Sequence, residues 1–559
     1  MDSMADRARG MLLAAAAGDA LGWPQEPRGG LVGGRRAREA RRPRAEFTAW
    51  ERTSGSQFQR YRERVEAGEY SDDTQLMLAV ARACLHGTGW ARHLAEVELA
   101  SWPVYQRGGG RAVLRASRSW AKGGAPWSDS SPRARATSDY REAGANGVAM
   151  RIAPHVLYTL NEADPQELFR RVIVDGVTTH GHPRALVGAI TLSGALRYAL
   201  TADRPVEPID LLRAANESFL SGAAAVDVMP NGWFTGSTRG EVEEREAFAS
   251  LWDSTNDEMR GLLEIGARSI RRASMSNVTE TLSILGADGA ASGSGTVSVA
   301  AAIYLAGRSG TRPESGLLQA AFESGIDTDT VAAMTGALLG GIHGTAWIGA
   351  LARVQDGDYI EKLALELVAR SKKPSTARRP TDREFFEQLD RDVADGLFAD
   401  GRRYRIVRVE EISRKPWVRR HHLLLEDGQT ALVDRVRRSE PEWHQTPLPA
   451  PLPPTNTLGF VVTLPASDLR STRVFYELAL DQKLTDSDGR LQVSDHLVFV
   501  PMKSALEWTP DARLRFGLSS SAFANVRSRF EDLGGGELAE DVLTLKDPDG
   551  RTVTVVKIL

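Results

Sequence analysis

Between Met11 and about Ser371 apolar residues return at the three- and four-residue spacing of a helix, and strand-like alternation is rare. Thr74–Cys84 (TQLMLAVARAC), Leu186–Leu200 and Val297–Ala306 are the clearest stretches, rich in Ala, Leu and small residues. Such a region packs as helices against helices and excludes a sandwich or barrel. None of its apolar runs reaches the ~18–20 residues of a membrane span. With 559 residues the chain exceeds one domain, and its 42% hydrophobic and 26% charged residues exclude wholesale disorder. A net charge of −3 excludes nucleic-acid binding on bulk charge alone and leaves a local patch open. The lone Cys84 excludes an internal disulfide and fits a reducing cytoplasm. Arg7 and Arg9 before Met11–Ala17 imitate a signal peptide, but Gly18 and Asp19 break the run, so the expected location is cytoplasmic.

Texture divides the chain into four parts. Residues 1–375 form the helical domain, interrupted by an Arg- and Gly-rich surface insertion at Arg28–Arg44. Residues 376–446 read as a helix (Glu384–Leu397) and a small β module, with strands at Tyr404–Glu411, Arg420–Glu426 and Thr430–Arg438. Residues 447–457 are a Pro-rich, semi-rigid spacer. Residues 458–559 alternate strands with helices at Leu469–Leu478 and Ala522–Leu533, in two halves of similar length that imply an internal duplication in an α+β fold.

Two carboxylate clusters stand out in the helical part: Ser71-Asp72-Asp73-Thr74 and Gly325-Ile326-Asp327-Thr328-Asp329-Thr330, each followed by an apolar helix. Either alone fits capping, because Ser and Asp satisfy free N–H groups and the helix dipole favours negative charge there. Together they gather four carboxylates and several hydroxyls, an all-oxygen donor set suited to a hard cation such as Mg²⁺ or Mn²⁺. If the clusters face each other, a pair of ions ~3.5–4 Å apart would offset their mutual repulsion. Gly18-Asp19-Ala20-Leu21-Gly22, followed by Glu26, adds two carboxylates, and Asp19 fits a buried cap as well as it fits catalysis. Gly144-Ala145-Asn146-Gly147-Val148-Ala149-Met150-Arg151 is a loop entering a helix, with backbone N–H groups suited to a phosphate. Thr179-His180-Gly181-His182 completes the set.

In this order the motifs resemble the ADP-ribosylglycohydrolase family, also called the dinitrogenase-reductase-activating glycohydrolase group, over about Met11 to Ser371. The resemblance implies an all-helical fold and a binuclear Mg²⁺ (or Mn²⁺) centre held by Ser71, Asp72, Asp73, Asp327, Asp329 and Thr330. It implies catalytic roles for Asp72, Asp329 and Glu26, the last falling where some members carry a mobile glutamate near the scissile bond. Gly144, Asn146, Gly147 and Met150 fall in the loop that cradles ADP-ribose, with His180 in the loop beside it. The implied activity is hydrolysis at C1″ of ADP-ribose; bacterial relatives suggest an ADP-ribosyl-arginine protein, while serine, nucleic-acid and small-molecule acceptors stay open. Which group acts as base also stays open.

Ala466–Glu477 and Lys546–Val556 resemble the vicinal oxygen chelate superfamily of glyoxalases and drug-binding resistance proteins, built from paired βαβββ units. Val461 and Thr554 stand at positions where metal-using members place His or Glu, and only His496 and Glu507 remain nearby, so a metal-free binding or dimerisation domain is expected. The competing reading is a non-catalytic ADP-ribose reader, or an immunity or small-molecule-sequestering protein acting through that last domain.

Overall fold

The computed structural model describes residues 3–26, 42–56, 58–128, 139–162, 164–235, 240–272, 275–371 and 379–439, and then 462–466, 469–480, 484–487, 490–494, 497–501, 513–519, 526–527, 537–538, 542–546 and 552–558. Most of Arg28–Arg44, the Pro-rich spacer, Val461, His496, Glu507 and most of Ala522–Leu533 lie outside the described residues. The chain divides into two compact units, Met1–Pro451 and Leu452–Leu559.

The first unit is mainly helical. Helix α1 (Ser3–Gly22) is followed by a hairpin of β1 (Trp50–Ser56) and β2 (Gln59–Val65), and then by α2 (Asp72–Cys84). The longest of the later helices are α3 (Pro165–Val177), α4 (Pro183–Thr201), α5 (Glu241–Arg271), α6 (Gly295–Arg308) and α7 (Thr328–His343). Helices α2, α4, α6 and α7 bury nearly their whole circumference, which explains why their sequences are apolar or small all round rather than striped. Among the described residues no helix is long and apolar enough to cross a membrane.

The hairpin was not anticipated. Tyr61, Glu63 and Val65 point inward on β2, and a charged residue in the middle of the buried triplet hides the alternation. The second departure is the helix expected over Glu384–Leu397. Helix α8 (Asp382–Asp390), opened by a Thr381/Glu384 capping box, stops early; Asp392 takes a positive φ of 49°, and Asp395–Leu397 is a strand, β3. With β4 (Arg403–Arg414), β5 (Trp417–Leu425) and β6 (Thr430–Arg437) it forms an antiparallel sheet in sequence order. The Glu426–Gly428 turn joins β5 to β6, with Gly428 at φ 103°. Phe385, Phe398, Leu423 and Val433 of this module belong to the same hydrophobic core as Leu76 and Leu78 of α2, so the module shares its interior with the helices.

The second unit holds β7 (Val462–Ala466), α9 (Leu469–Leu480), β8 (Thr485–Ser487), β9 (Arg490–Ser494) and β10 (Leu497–Pro501), then β11 (Arg513–Ser519), β12 (Glu537–Leu538), β13 (Val542–Lys546) and β14 (Thr552–Ile558). Its two sheets repeat one plan, β7-β10-β9-β8 and β11-β14-β13-β12, each with its first strand parallel to its last. The strands β8 and β12 are too short and polar to have been visible in the sequence.

Candidate active site

The site begins with an unusually close helix crossing. A Cβ on Gly18 of α1 would collide with the carbonyl of Ala332, and one on Gly22 with the carbonyl of Thr328; Gly336 of α7 meets the Ala14 carbonyl in the same way. Glycine on both faces lets the backbones touch, and the Thr328 hydroxyl donates to the Gly22 carbonyl at 2.9 Å. The C-terminal end of α1, which leads into Glu26, is thereby fixed against the N-terminal end of α7, which carries Asp327, Asp329 and Thr330.

Asp19 joins the third element. Fully buried, it accepts from the backbone N–H of Ser71 (3.1 Å to each carboxylate oxygen), the N–H of Thr74 (3.0 Å) and the Thr74 hydroxyl (2.6 Å). It caps α2 from a neighbouring helix, while Ser71 Oγ, the cap within the chain, accepts from Asp73 N at 3.3 Å. Of the two roles open to Asp19, the structure gives it the buried cap.

Asp72, Asp73, Asp327, Asp329 and Glu26 consequently converge. The carboxylates of Glu26, Asp327 and Asp329 offer oxygen atoms all within 4.8 Å of one another. Burial first, and then the neighbouring Asp19, Glu26 and Asp327 carboxylates, push Asp72 up to about 8. Asp73 and Asp329 are raised well above the ordinary carboxylate range by burial first and then by neighbouring carboxylates. One oxygen of Asp73, Oδ1, is buried with no hydrogen-bond partner among the described residues. Crowded carboxylates, hydroxyls of Ser71 and Thr330 and an orphaned buried oxygen are the donor set of a hard divalent cation, so these residues fit Mg²⁺ or Mn²⁺.

The loop at Gly144–Arg151 lies beside this cluster. Ala145 bridges Ser294, Asn146 N donates to the Gly293 carbonyl at 3.0 Å, and Gly295 N donates to the Gly144 carbonyl at 2.9 Å. The Asn146 side chain donates to Asp327 Oδ2 at 2.9 Å, so Asn146 orients a carboxylate of the cluster. Gly144 lines a cleft of about 860 Å³ together with Glu26, Glu142, His182, Arg184, Glu258, Ser292, Ser294 and Asp327. Gly147, Met150 and His180 belong to the buried layer behind: His180 packs on the bare face of Gly147, and a Cβ there would meet its ring at 2.9 Å. Burial and the nearby Arg151 push His180 down to about 3, so it stays neutral, and its Nδ1 pairs with the Thr179 hydroxyl at 2.8 Å. Arg151 itself is fully buried on Asp175 at 2.7 Å.

Sequence reasoning missed Glu142, Glu258 and the Gly289–Ser294 stretch of the cleft wall. The Gly/Ala/Ser run at Gly286–Gly295 was the available signal, a backbone-rich loop preceding a helix. Glu258 had none, because it sits midway along the 31-residue α5; it accepts from the Thr296 hydroxyl at 2.7 Å and pairs with Arg184 at 3.0 Å.

A family model described as ADP-ribosylglycohydrolase matches residues 1–377. A solved structure titled "ADP-ribosylglycohydrolase-related protein complex" is similar at 23% identity and a TM-score of 0.42, covering 66% of this chain and 100% of that one. No curated protein matches.

Proposed function

The chain belongs to the ADP-ribosylglycohydrolase family, and from that premise we propose that it is a divalent-metal-dependent hydrolase releasing ADP-ribose by cleaving the glycosidic bond at C1″. The observation that carries the reading is the convergence of Glu26, Asp72, Asp73, Asp327 and Asp329 at the meeting of α1, α2 and α7, where burial and the neighbouring carboxylates drive Asp72, Asp73 and Asp329 upward.

Ser71, Asp72, Asp73, Asp327, Asp329 and Thr330 would hold two Mg²⁺ ions, or Mn²⁺, and Glu26, with an oxygen within 4.8 Å of those of Asp327 and Asp329, would add to the negative charge that binds them. Bound there, such ions supply positive charge that orients ribose hydroxyls and acidifies a water. The protein's own groups do the rest. Asp19 fixes the Ser71–Thr74 backbone, and Asn146 holds Asp327 by its amide. The cleft lined by Gly144, Arg184 and Ser294 would receive the pyrophosphate, with the Arg184 guanidinium as the cation in its wall. Bond cleavage builds oxocarbenium-like charge on the ribose, which the surrounding carboxylates stabilise. Half-buried Glu26, at the cleft edge of the cluster, moves the proton between water and leaving group.

The acceptor we favour is arginine. Glu26 and Glu142 line the cleft beside the Glu258–Arg184 pair, and carboxylates complement a guanidinium leaving group. We read the last hundred residues as a metal-free, vicinal oxygen chelate-like binding domain, a reading consistent with its two repeated sheets.

ADP-ribose release from arginine-, serine-, nucleotide- and acetyl-linked substrates, with Mg²⁺ and with chelator, tests the proposal. Metal-dependent release from the arginine linkage is expected. Release from another linkage would reassign the acceptor, and release from none would refute the activity.

A further inference from the structure

Glu63 of β2 is 1% exposed and carries three guanidinium groups: Arg420 at 2.7 Å and Arg107 at 2.7 Å on one oxygen, and Arg52 at 2.8 Å on the other. These cations hold its carboxyl well below the ordinary range despite the burial. The three arginines come from three places: Arg420 from strand β5 of the module, Arg107 from the loop after the short helical turn Trp102–Val104, and Arg52 from the hairpin itself. Arg420 is also held by Asp434 at 2.7 Å, and Asp434 accepts from the Tyr61 hydroxyl at 2.5 Å, so the hairpin is clamped to the module at two points.

The other ends of these arginines lead to the site. The Arg52 guanidinium lies 4.7 Å from the centre of the Trp23 ring and that of Arg107 lies 5.3 Å away, while Trp50 meets the same ring edge-on at 5.3 Å. Trp23 opens the short turn Trp23–Gln25, whose carbonyl receives the N–H of Glu26 at 3.3 Å. The backbone N–H of Arg107 donates to Gln75 of α2 at 3.1 Å, within the first turn after the Asp72-Asp73 pair. A buried charge cluster costs desolvation, and well-packed apolar residues would cement the same surfaces more cheaply. What the charges add is direction, because each guanidinium fork fixes the angle as well as the distance of its partner.

We propose that Arg420 is a positioning residue for Glu26: through Glu63, Arg52 and Trp23 the strand module sets where the Glu26 carboxylate stands relative to Asp327 and Asp329. The inference rests on the reading of that cluster as a divalent-cation site.

The test is a double-mutant cycle in the full-length chain on Mn²⁺ affinity, measured by titration calorimetry with the metal alone, and on kcat and KM for ADP-ribose release. Arg420→Met should weaken Mn²⁺ about tenfold and lower kcat by a similar factor with KM little changed, because a displaced carboxylate acts at the reacting centre rather than on remote binding. In a Glu26→Gln background the Arg420 substitution should then have no further effect. An equal loss in both backgrounds would overturn the proposal, since a merely structural role weakens the site whether or not Glu26 is present. If Arg420→Met does not fold, Arg420→Lys, which keeps the charge and loses the fork, runs the same cycle. A wild-type chain that bound no Mn²⁺ would refute the proposed function instead. Amide exchange at Trp23–Glu26 would then decide the positioning alone: faster exchange in the Arg420 variant supports it, and unchanged exchange overturns it.

Discussion

Asp72 is held up to about 8 by burial and by three neighbouring carboxylates. A carboxyl whose folded value lies above its unfolded one binds its proton more tightly in the native state. The stability it contributes is complete below about pH 4, the unfolded carboxylate range, and is lost as pH rises through about 8. Divalent metal must displace that proton, so its affinity changes in the opposite sense. The increase in Tm on adding Mg²⁺ should therefore grow steadily from about pH 6 to pH 8.5 and level off above, as the metal-free Tm falls. A Mg²⁺ increment independent of pH would show that Asp72 is not displaced. Asp329→Asn should abolish release of ADP-ribose and remove most of the Mg²⁺ increment while leaving the fold intact by circular dichroism. At this scale the sequence was most readable where hydroxyls and carboxylates crowd a helix start, as at Ser71–Thr74 and Asp327–Thr330. It was unreadable where one charge is buried by distant partners: nothing near Glu63 in the chain announces Arg107 or Arg420.

Among elements, the α1–α7 crossing sets the geometry of everything above it. Gly18→Ala places a methyl against the Ala332 carbonyl in a contact that only backbone movement relieves. Such overpacking costs about 1–3 kcal/mol, and the urea midpoint should fall accordingly. Because the same movement separates Glu26 from Asp327 and Asp329, Mg²⁺ affinity should fall as well. Unchanged stability and affinity would mean that the helices have slack. Helical periodicity made α2, α4 and α6 legible to within a few residues at each end. The α8–β3 break was not, because Arg391–Ala394 (RDVA) holds no glycine or proline to mark a stop, and it is the positive φ of Asp392 that ends the run.

At the level of the whole molecule, the module at 379–439 belongs to the same compact unit as the site. The module is bound in by core residues and by polar contacts: Arg82 of α2 donates to Gln429 at 2.8 Å, and Thr430 N donates to Asp356 at 3.0 Å. Removing 379–439 should leave insoluble or unfolded protein. Residues 1–451, by contrast, make one compact unit, and this fragment should release ADP-ribose from a small substrate with kcat/KM within about twofold of the full chain. A folded 1–451 fragment without activity would place part of the active site beyond Pro451. The duplicated plan of the second unit was legible because each half repeats the same succession of strand and turn signals, whereas the shared core of the module was not, since composition shows where a segment is apolar and not what it packs against.

The central claim is that the carboxylates at the junction of α1, α2 and α7 form a divalent-cation centre that drives hydrolysis at C1″. Its most direct test is the rate of ADP-ribose release from an ADP-ribosyl-arginine substrate as Mg²⁺ is titrated into chelator-stripped protein. The rate should be negligible at the start, rise to saturation with Mg²⁺, and stay flat in Asp329→Asn. Full release in the presence of chelator, or an Asp329→Asn titration that overlays the wild type, would contradict the account.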